Sequence, residues 1–479
     1  MSAAHPLLSG THGPIGDESV FDDLPVIGEV PADLNGAFFR NGPNAHYPPQ
    51  GRYHWFDGDG MIHAVYFDRG RVTYRNRYVR TACFQEEDAA GRALWPGIMD
   101  PPRRDRPDMP LKDTSNTDVK FHAGRLVTMW YLAGQPYHVD PWTLETIGPA
   151  DFKGTLRTHV SAHSKVDEQA DEFVYFDYTK TWPYMSFGIA GPDGTIRKTV
   201  NVEMPGPSLP HDMAFTKKHV ILHDLSLTYD PEAFAAGRHK LRFFGERPAR
   251  FAVIPRDGTE KDVRWFEAEP CFIYHVVNAW DEGDEVVMVA CRYKTPRDLA
   301  GAPDELRYAK AIAHLQMDAY LYEWRFNLRT GHTRERLIDD TLNSEFPMMN
   351  SWLQGVPTRY SYNILMKNRA LGAQFAGIVK YDCADGRFTA YSAGDHYWYS
   401  EAPFAPADAE AAEDDGYLVS FVTDMQQEKT EIQVFDARGT GIGDGPVARI
   451  PLPRRVPHGF HGTWVSAKRM AGAPRAANG

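Results

Sequence analysis

Histidine set among small and aromatic residues is the most visible chemistry in this chain. Near its end runs Arg454-Arg455-Val456-Pro457-His458-Gly459-Phe460-His461-Gly462-Thr463-Trp464, two imidazoles among proline, glycine and aromatic residues. His461 lies between Phe460 and Gly462. A glycine lets backbone or ligand come close, and Phe460 and Trp464 would wall a dry pocket. An imidazole so placed either coordinates a metal or satisfies a buried hydrogen bond. Three more histidines share such settings. His163 lies in Ser161-Ala162-His163-Ser164-Lys165, His211 in Leu209-Pro210-His211-Asp212-Met213, and His275 in the apolar run Phe272-Ile273-Tyr274-His275-Val276-Val277. Of the nineteen histidines, His54, His63, His122, His159, His219, His223, His396 and His458 are equally visible rivals. Residue types alone therefore leave ligand and core histidine open at each position.

The four stand 48, 64 and 186 positions apart, and a fold that returns repeatedly to one place could gather them. The chain has that pattern. Short strands run into Asp/Gly turns and out again. Ala64–Phe67 meets Asp68-Arg69-Gly70-Arg71 before Val72–Tyr78, and Gly191-Pro192-Asp193-Gly194 precedes Thr195–Val200. Further copies follow Trp324–Leu328, Val379–Cys383 and Ile432–Asp436. These read as hairpins at loose, wide spacing, the pattern of an all-β closed array such as a propeller, which protects its edges by radial repetition. A large two-sheet sandwich is the competitor. The segment Tyr53 to His63, with Asp57-Gly58-Asp59-Gly60 inside it, reads as a tight turn between strands, because the EF-hand pattern it resembles would continue to a glutamate. Helices are expected only at Pro231–Gly237 and Ala302–Met317, and Ala405–Ala412 reads as a low-complexity loop.

Composition narrows the class. At 479 residues the chain can bury a large core. Forty glycines and 35 prolines favour turns over long helices, and 13% aromatic residues suit strands and pockets. A net charge of −12 argues against a nucleic-acid partner. Cys83, Cys271, Cys291 and Cys383 form no CxxC pair, which signals neither a thiolate zinc site nor a disulfide framework. The first residues show no signal peptide and no window is long and apolar enough to span a bilayer, so a cytoplasmic location is expected.

The ordered motifs carry a resemblance. They are Gly36-Ala37-Phe38-Phe39-Arg40-Asn41-Gly42-Pro43-Asn44, then Trp55–His63, then Leu132–Gly148 with Asp140-Pro141-Trp142 inside it. The three histidine segments follow, then Ser344-Glu345-Phe346-Pro347, Glu413-Asp414-Asp415-Gly416 and Pro457–Trp464. Over nearly all of residues 30–466 the chain resembles the carotenoid cleavage oxygenase superfamily, which includes carotenoid and apocarotenoid oxygenases, a retinoid isomerase and stilbene-cleaving dioxygenases. The resemblance implies a seven-bladed β-propeller capped by loops and short helices over an axial metal site. It implies an N-terminal arm at 1–30, one catalytic domain at 31–466 and a tail at 467–479. It also implies Fe(2+) held by His163, His211, His275 and His461. Glutamates that orient the ligand imidazoles map to Glu345 and Glu413. The third does not map, because Leu132 stands where the family usually has glutamate. Loss of such a partner commonly weakens a metal site.

The implied activity is oxidative cleavage of a conjugated C=C bond with O2 to two carbonyl products. Phe56, Tyr131, Trp130 and Phe346 are candidate wall residues. Stilbene-cleaving members hold the phenol with a lysine and a tyrosine. Here Tyr131 occupies the lysine position, and the tyrosine position falls near Ile98. The substrate is then an apocarotenoid or a phenolic aryl alkene of the stilbene, 4-vinylguaiacol or isoeugenol type. An apocarotenoid would suit peripheral membrane contact, for which Phe234, Leu241, Phe243, Phe244 and Phe251 are candidates unless they form an interior strand. Retinoid-type isomerase chemistry, a metal-dependent hydrolase or lactonase, and a non-catalytic binding propeller are the alternatives. Oligomeric state has no signal.

Overall fold

The computed structural model describes residues 5–473 apart from 133, 237–239, 296–304, 317, 370–371 and 409–410. These residues form two compact units. One lies within 5–162, 192–195 and 394–473, and the other within 163–191 and 196–393.

In the second unit, four antiparallel four-stranded sheets follow one another along the chain, each a simple meander. The first runs Lys165–Asp167, Glu172–Tyr178, Tyr184–Ala190, Ile196–Glu203, and the second Met213–Phe215, His219–Asp224, Ala249–Pro255, Arg264–Ala268. The third is Ile273–Glu282, Glu285–Tyr293, Ala319–Asn327, Thr333–Asp339, and the fourth Ser344–Met348, Tyr360–Asn368, Ala373–Asp382, Phe388–Tyr391. A two-stranded ribbon, Leu227–Tyr229 with Leu241–Phe243, is inserted in the second. Within each sheet the strand first in sequence lies at one edge and the last at the other. Burial follows from that order. Glu172–Tyr178 and Ala373–Asp382 are almost continuously buried, whereas the last strands, such as Ile196–Glu203 and Phe388–Tyr391, alternate toward water. Strands covered on both faces need unbroken apolar runs, and half-covered ones need period two.

The first unit holds three sheets. One is Asp118–His122, Arg125–Met129, Tyr137–Val139, Thr146–Pro149. Another joins the two ends of the chain. Gly462–Ser466 pairs with Gly36–Pro43, which continues to Gly60–Asp68, Arg71–Tyr78 and Val20–Phe21. The third runs from Ile27–Gly28 through Pro446–Pro451, Lys429–Asp436 and Gly416–Asp424 to Tyr397–Tyr399, with Phe404–Pro406 also on Gly416–Asp424. Adjacent residues on one strand feed opposite cores. Phe38 packs with Val65, Tyr74, Val434 and Trp464, while Phe39 packs with Ile62, Val119, Leu126 and Val139. Each buried aromatic contributes about 1.5–3 kcal/mol by removal from water. Seven sheets of this meander type, one closed by a C-terminal strand on an N-terminal one, make the fold class a seven-bladed all-β propeller.

Some expectations change. Ala405 is a buried strand residue paired with Tyr417, not part of a loop, because strand pairing outweighs the low-complexity composition around it. The helix expected at Pro231–Gly237 covers Pro231–Ala235, and the one at Ala302–Met317 covers Glu305–Ala313, with Gly237, 302–304 and Met317 outside the described residues. Ala82–Ala90 is a helix the periodicity did not reveal. Thr81 caps its start, and Gly91 ends it at φ 66°. Ala467–Ala471, expected in the tail, is a short helix with Met470 buried. Phe243 and Phe251 are core residues, whereas Phe234, Leu241 and Phe244 are half-buried. All four cysteines are buried and none is in a disulfide among the described residues.

Candidate metal centre

The edge strands first in sequence position the site in the second unit. His163 lies two residues before Lys165–Asp167, His211 two before Met213–Phe215, and His275 within Ile273–Glu282. Glu345 lies in Ser344–Met348, the corresponding strand of the fourth sheet. Because the meander repeats, corresponding positions of successive sheets come together. His163, His211 and His275 each offer a ring nitrogen, and the three nitrogens lie within 4.8 Å of one another. The His163 ring centre is 4.7 Å from that of His211 and 4.9 Å from that of His275. All three rings are buried.

Local backbone shapes serve this convergence. His163 and His211 both adopt left-handed conformations, at φ 68° and 63°. That geometry costs a non-glycine residue about 1–2 kcal/mol, and such strain gathers at functional sites. His275 sits where the register between Ile273–Glu282 and its neighbour shifts, as Glu345 does in its own pair. Bulges re-aim side chains in this way.

Glu345 is fully buried, and its Oε2 is in very short contact with His275 Nδ1 while also accepting the Phe346 amide. That carboxylate fixes Nδ1 as the protonated nitrogen and turns Nε2 toward the cluster. Burial, with the Glu345 charge next in size, drives the Tyr293 phenol well above its ordinary range. Tyr274 roofs the cluster. Its ring is 4.4 Å from that of His211, and its hydroxyl donates to the Ile312 carbonyl of the helix Glu305–Ala313 at 3.2 Å. Phe346 packs on His275 at 4.8 Å. Three neutral imidazoles backed by a remote carboxylate suit a divalent transition metal such as Fe(II).

In the first unit His461 is held just as closely. Its Nδ1 is 3.0 Å from Glu401 Oε1, while Glu401 Oε2 accepts the Gly462 amide at 2.8 Å. The carboxylate on His461 is therefore Glu401, not Glu413. Glu413 lies half-buried in the turn leading into Gly416–Asp424, whereas Glu401 lies between the two short strands that pair with the far and near ends of that strand. The Arg40-Asn41 motif grips the same segment. The Asn41 amide donates to the His461 carbonyl at 2.9 Å, the Phe460 amide to the Asn41 carbonyl at 3.0 Å, and Arg40 to the Pro457 carbonyl at 2.8 Å. A Cβ on Gly462 would come within 2.6 Å of both the Phe38 ring and the Phe39 carbonyl, so close backbone approach requires the glycine.

The wall candidates Phe56 and Tyr131 meet at 4.9 Å, and Phe56 meets Phe460 at 5.1 Å. Trp130 is buried against Tyr131, their rings 5.9 Å apart. Leu132 is half-buried in the turn after Tyr131. The Ile98 amide donates to Asp57 at 2.9 Å, which ties that loop to the turn carrying Phe56. Burial pushes the Asp57 carboxyl up to about 6. Several rival histidines have structural partners. His63 bonds Tyr74 at 2.8 Å, His219 bonds Asp281 at 2.7 Å, and His458 bonds Thr11 at 2.8 Å. Glu401 carried no signal at the sequence level beyond being a lone acid in an apolar run.

The retinal pigment epithelial membrane protein family matches residues 14–466. The chain belongs to the carotenoid cleavage oxygenase superfamily. A carotenoid 9,10(9',10')-cleavage dioxygenase of Arabidopsis thaliana is 34% identical, covering 97% of this chain and 90% of the relative. A carotenoid cleavage oxygenase of Mycobacterium tuberculosis is 31% identical, covering 96% and 97%. Among solved structures, a Pseudomonas brassicacearum lignostilbene dioxygenase superposes with a TM-score of 0.84 at 28% identity, covering 97% of this chain and 99% of that one. The three-histidine cluster of this superfamily member can hold a metal ion, an arrangement consistent with the metal-dependent oxidative chemistry of its relatives.

Proposed function

We propose that this protein is a non-haem Fe(II) dioxygenase cleaving a conjugated C=C bond with O2 to give two carbonyl products. The observation that supports it most is the buried cluster of His163, His211 and His275 with Glu345 on His275. His461 is proposed as the fourth ligand. Its Nδ1 is engaged by a buried glutamate in the same manner as that of His275, and Nε2 is proposed as its metal-facing nitrogen. Bound iron would supply one-electron access to dioxygen, which imidazoles alone lack.

The remaining work falls to the chain. Glu345 and Glu401 hold ring orientation and tautomer. Phe56, Tyr131 and Phe460 form an apolar wall that would align a flat conjugated substrate and exclude water. Leu132 adds no charge in that region, which favours an uncharged substrate. An apocarotenoid and a phenolic aryl alkene both satisfy that wall, and the Tyr131 hydroxyl gives the phenolic class a hydrogen-bond partner. Among the described residues no helix is long and apolar enough to cross a membrane.

The test is anaerobic loading with Fe(II), followed by labelled O2 and a panel of apocarotenals, stilbenes and propenylphenols. Label in two carbonyl products is expected. An isomerised product without label would mark retinoid-isomerase chemistry instead, and turnover of esters or lactones without O2 would mark a hydrolase.

A further inference from the structure

The three ligand segments of the second unit share one carboxylate. Asp212 is 1% exposed and follows His211 directly. Its Oδ1 receives Lys165 Nζ at 2.8 Å, and Lys165 stands two residues after His163. Its Oδ2 accepts the amide of Val276 at 2.7 Å, and Val276 follows His275. Oδ1 also accepts the Met213 amide at 2.6 Å, which anchors the carboxylate to its own strand. One side chain thus touches the segments that carry His163, His211 and His275.

We infer that Asp212 is a positioning residue that locks these three imidazoles into a metal-binding arrangement. Two observations make the need concrete. His163 and His211 both sit in left-handed backbone, which the chain would leave unless held there. His275 lies at a shift in strand register, where the ladder alone does not set its direction, and the Val276 amide is the group Asp212 takes up there. The Lys165 ammonium, largely buried, offsets the carboxylate's charge, so the hub is an ion pair without net charge.

This inference rests on the metal reading of the cluster, and its test separates the two. Full-length wild type, Asp212→Asn, Lys165→Met and the control Asp224→Asn would be titrated with Co(II). Dissociation constants, visible ligand-field bands and the melting temperature of the metal-free protein would be recorded. Asp224 is an equally buried carboxylate of the same unit, paired with Arg247 and Arg250. The expected result is Co(II) binding weakened about tenfold or more in Asp212→Asn, the usual scale for a ligand-orienting partner, with displaced bands. A smaller loss is expected in Lys165→Met, which keeps the Val276 bond. Asp224→Asn should melt earlier yet keep the wild-type affinity and bands. Wild-type affinity and bands in both hub variants would overturn the inference while leaving the metal reading intact. If Asp212→Asn fails to fold, Lys165→Met decides alone. A wild-type chain that takes up no Co(II) would overturn both.

Discussion

Glu401 grips His461 from two sides, with one carboxylate oxygen 3.0 Å from the ring Nδ1 and the other accepting the next residue's amide at 2.8 Å. Side chain and backbone are thereby oriented by a single buried group. Replacing Glu401 by Gln removes the charge but keeps the size, and the expected outcome is a 10–100-fold loss of Fe(II) affinity. Glu413→Gln, in a half-buried turn, should leave affinity unchanged. Metal titration of the two variants side by side checks this, and a loss confined to Glu413→Gln would return the role to Glu413.

His211→Ala takes away one imidazole of the buried cluster. Iron stoichiometry should fall from near one per chain toward zero, and cleavage with it, while far-UV circular dichroism stays that of an all-β fold. Treating wild type with a chelator should reproduce the loss of activity, and Fe(II) should restore it. Full activity after exhaustive chelation would remove the oxygenase reading.

Gly462→Ala places a methyl against the Phe38 ring and the Phe39 carbonyl. Crowding of that kind typically destabilises by about 1–3 kcal/mol. The strain falls next to His461, so a weakened metal site should accompany a lowered denaturation midpoint. A variant that loses neither would show that the two strands separate easily.

His223 is fully buried in His219–Asp224, and among the described residues neither of its ring nitrogens finds a hydrogen-bond partner. Burial lowers its pKa to about 4, with smaller effects from Asp212, which raises it, and Lys165, which lowers it. The folded value lies below the unfolded one, so the unfolded chain binds more protons between about pH 4 and 6.5. Stability from this group is intact above pH 6.5 and is lost as pH falls toward 4, by about 3 kcal/mol in all. His223→Leu should flatten the acid limb of the stability profile, by about 2 kcal/mol between pH 7.5 and 5, as read from urea midpoints. An acid limb of unchanged slope would contradict this assignment. His12 and His138, also lowered to about 4 by burial, should retain the rest of the slope.

Much of this protein was legible in its residues. Asp/Gly turns between strands report local backbone geometry, so hairpins at Asp68 to Arg71 and Pro192 to Gly194 can be read directly. The motif around Asn41 and the ordered segments that follow it carry the family resemblance, and the family model matches residues 14–466. Glu345 followed from the same pattern, and His275 receives it. Other features had no local signal. Glu401 rather than Glu413 faces His461 because two short strands flank it and turn its segment toward Gly462–Ser466, a matter of pairing across 60 residues. Ala405 is strand and not loop because Tyr417 lies opposite. Asp212 reads in sequence as one acid beside a histidine. Its bonds to Lys165 and Val276, 47 and 64 residues away, exist only once successive sheets present their edge strands together. Sequence determines what each segment can become, since dihedral preference and side-chain chemistry are local. Tertiary structure decides which segments share a carboxylate, because a hydrogen bond forms within about 3 Å of space whatever the distance along the chain.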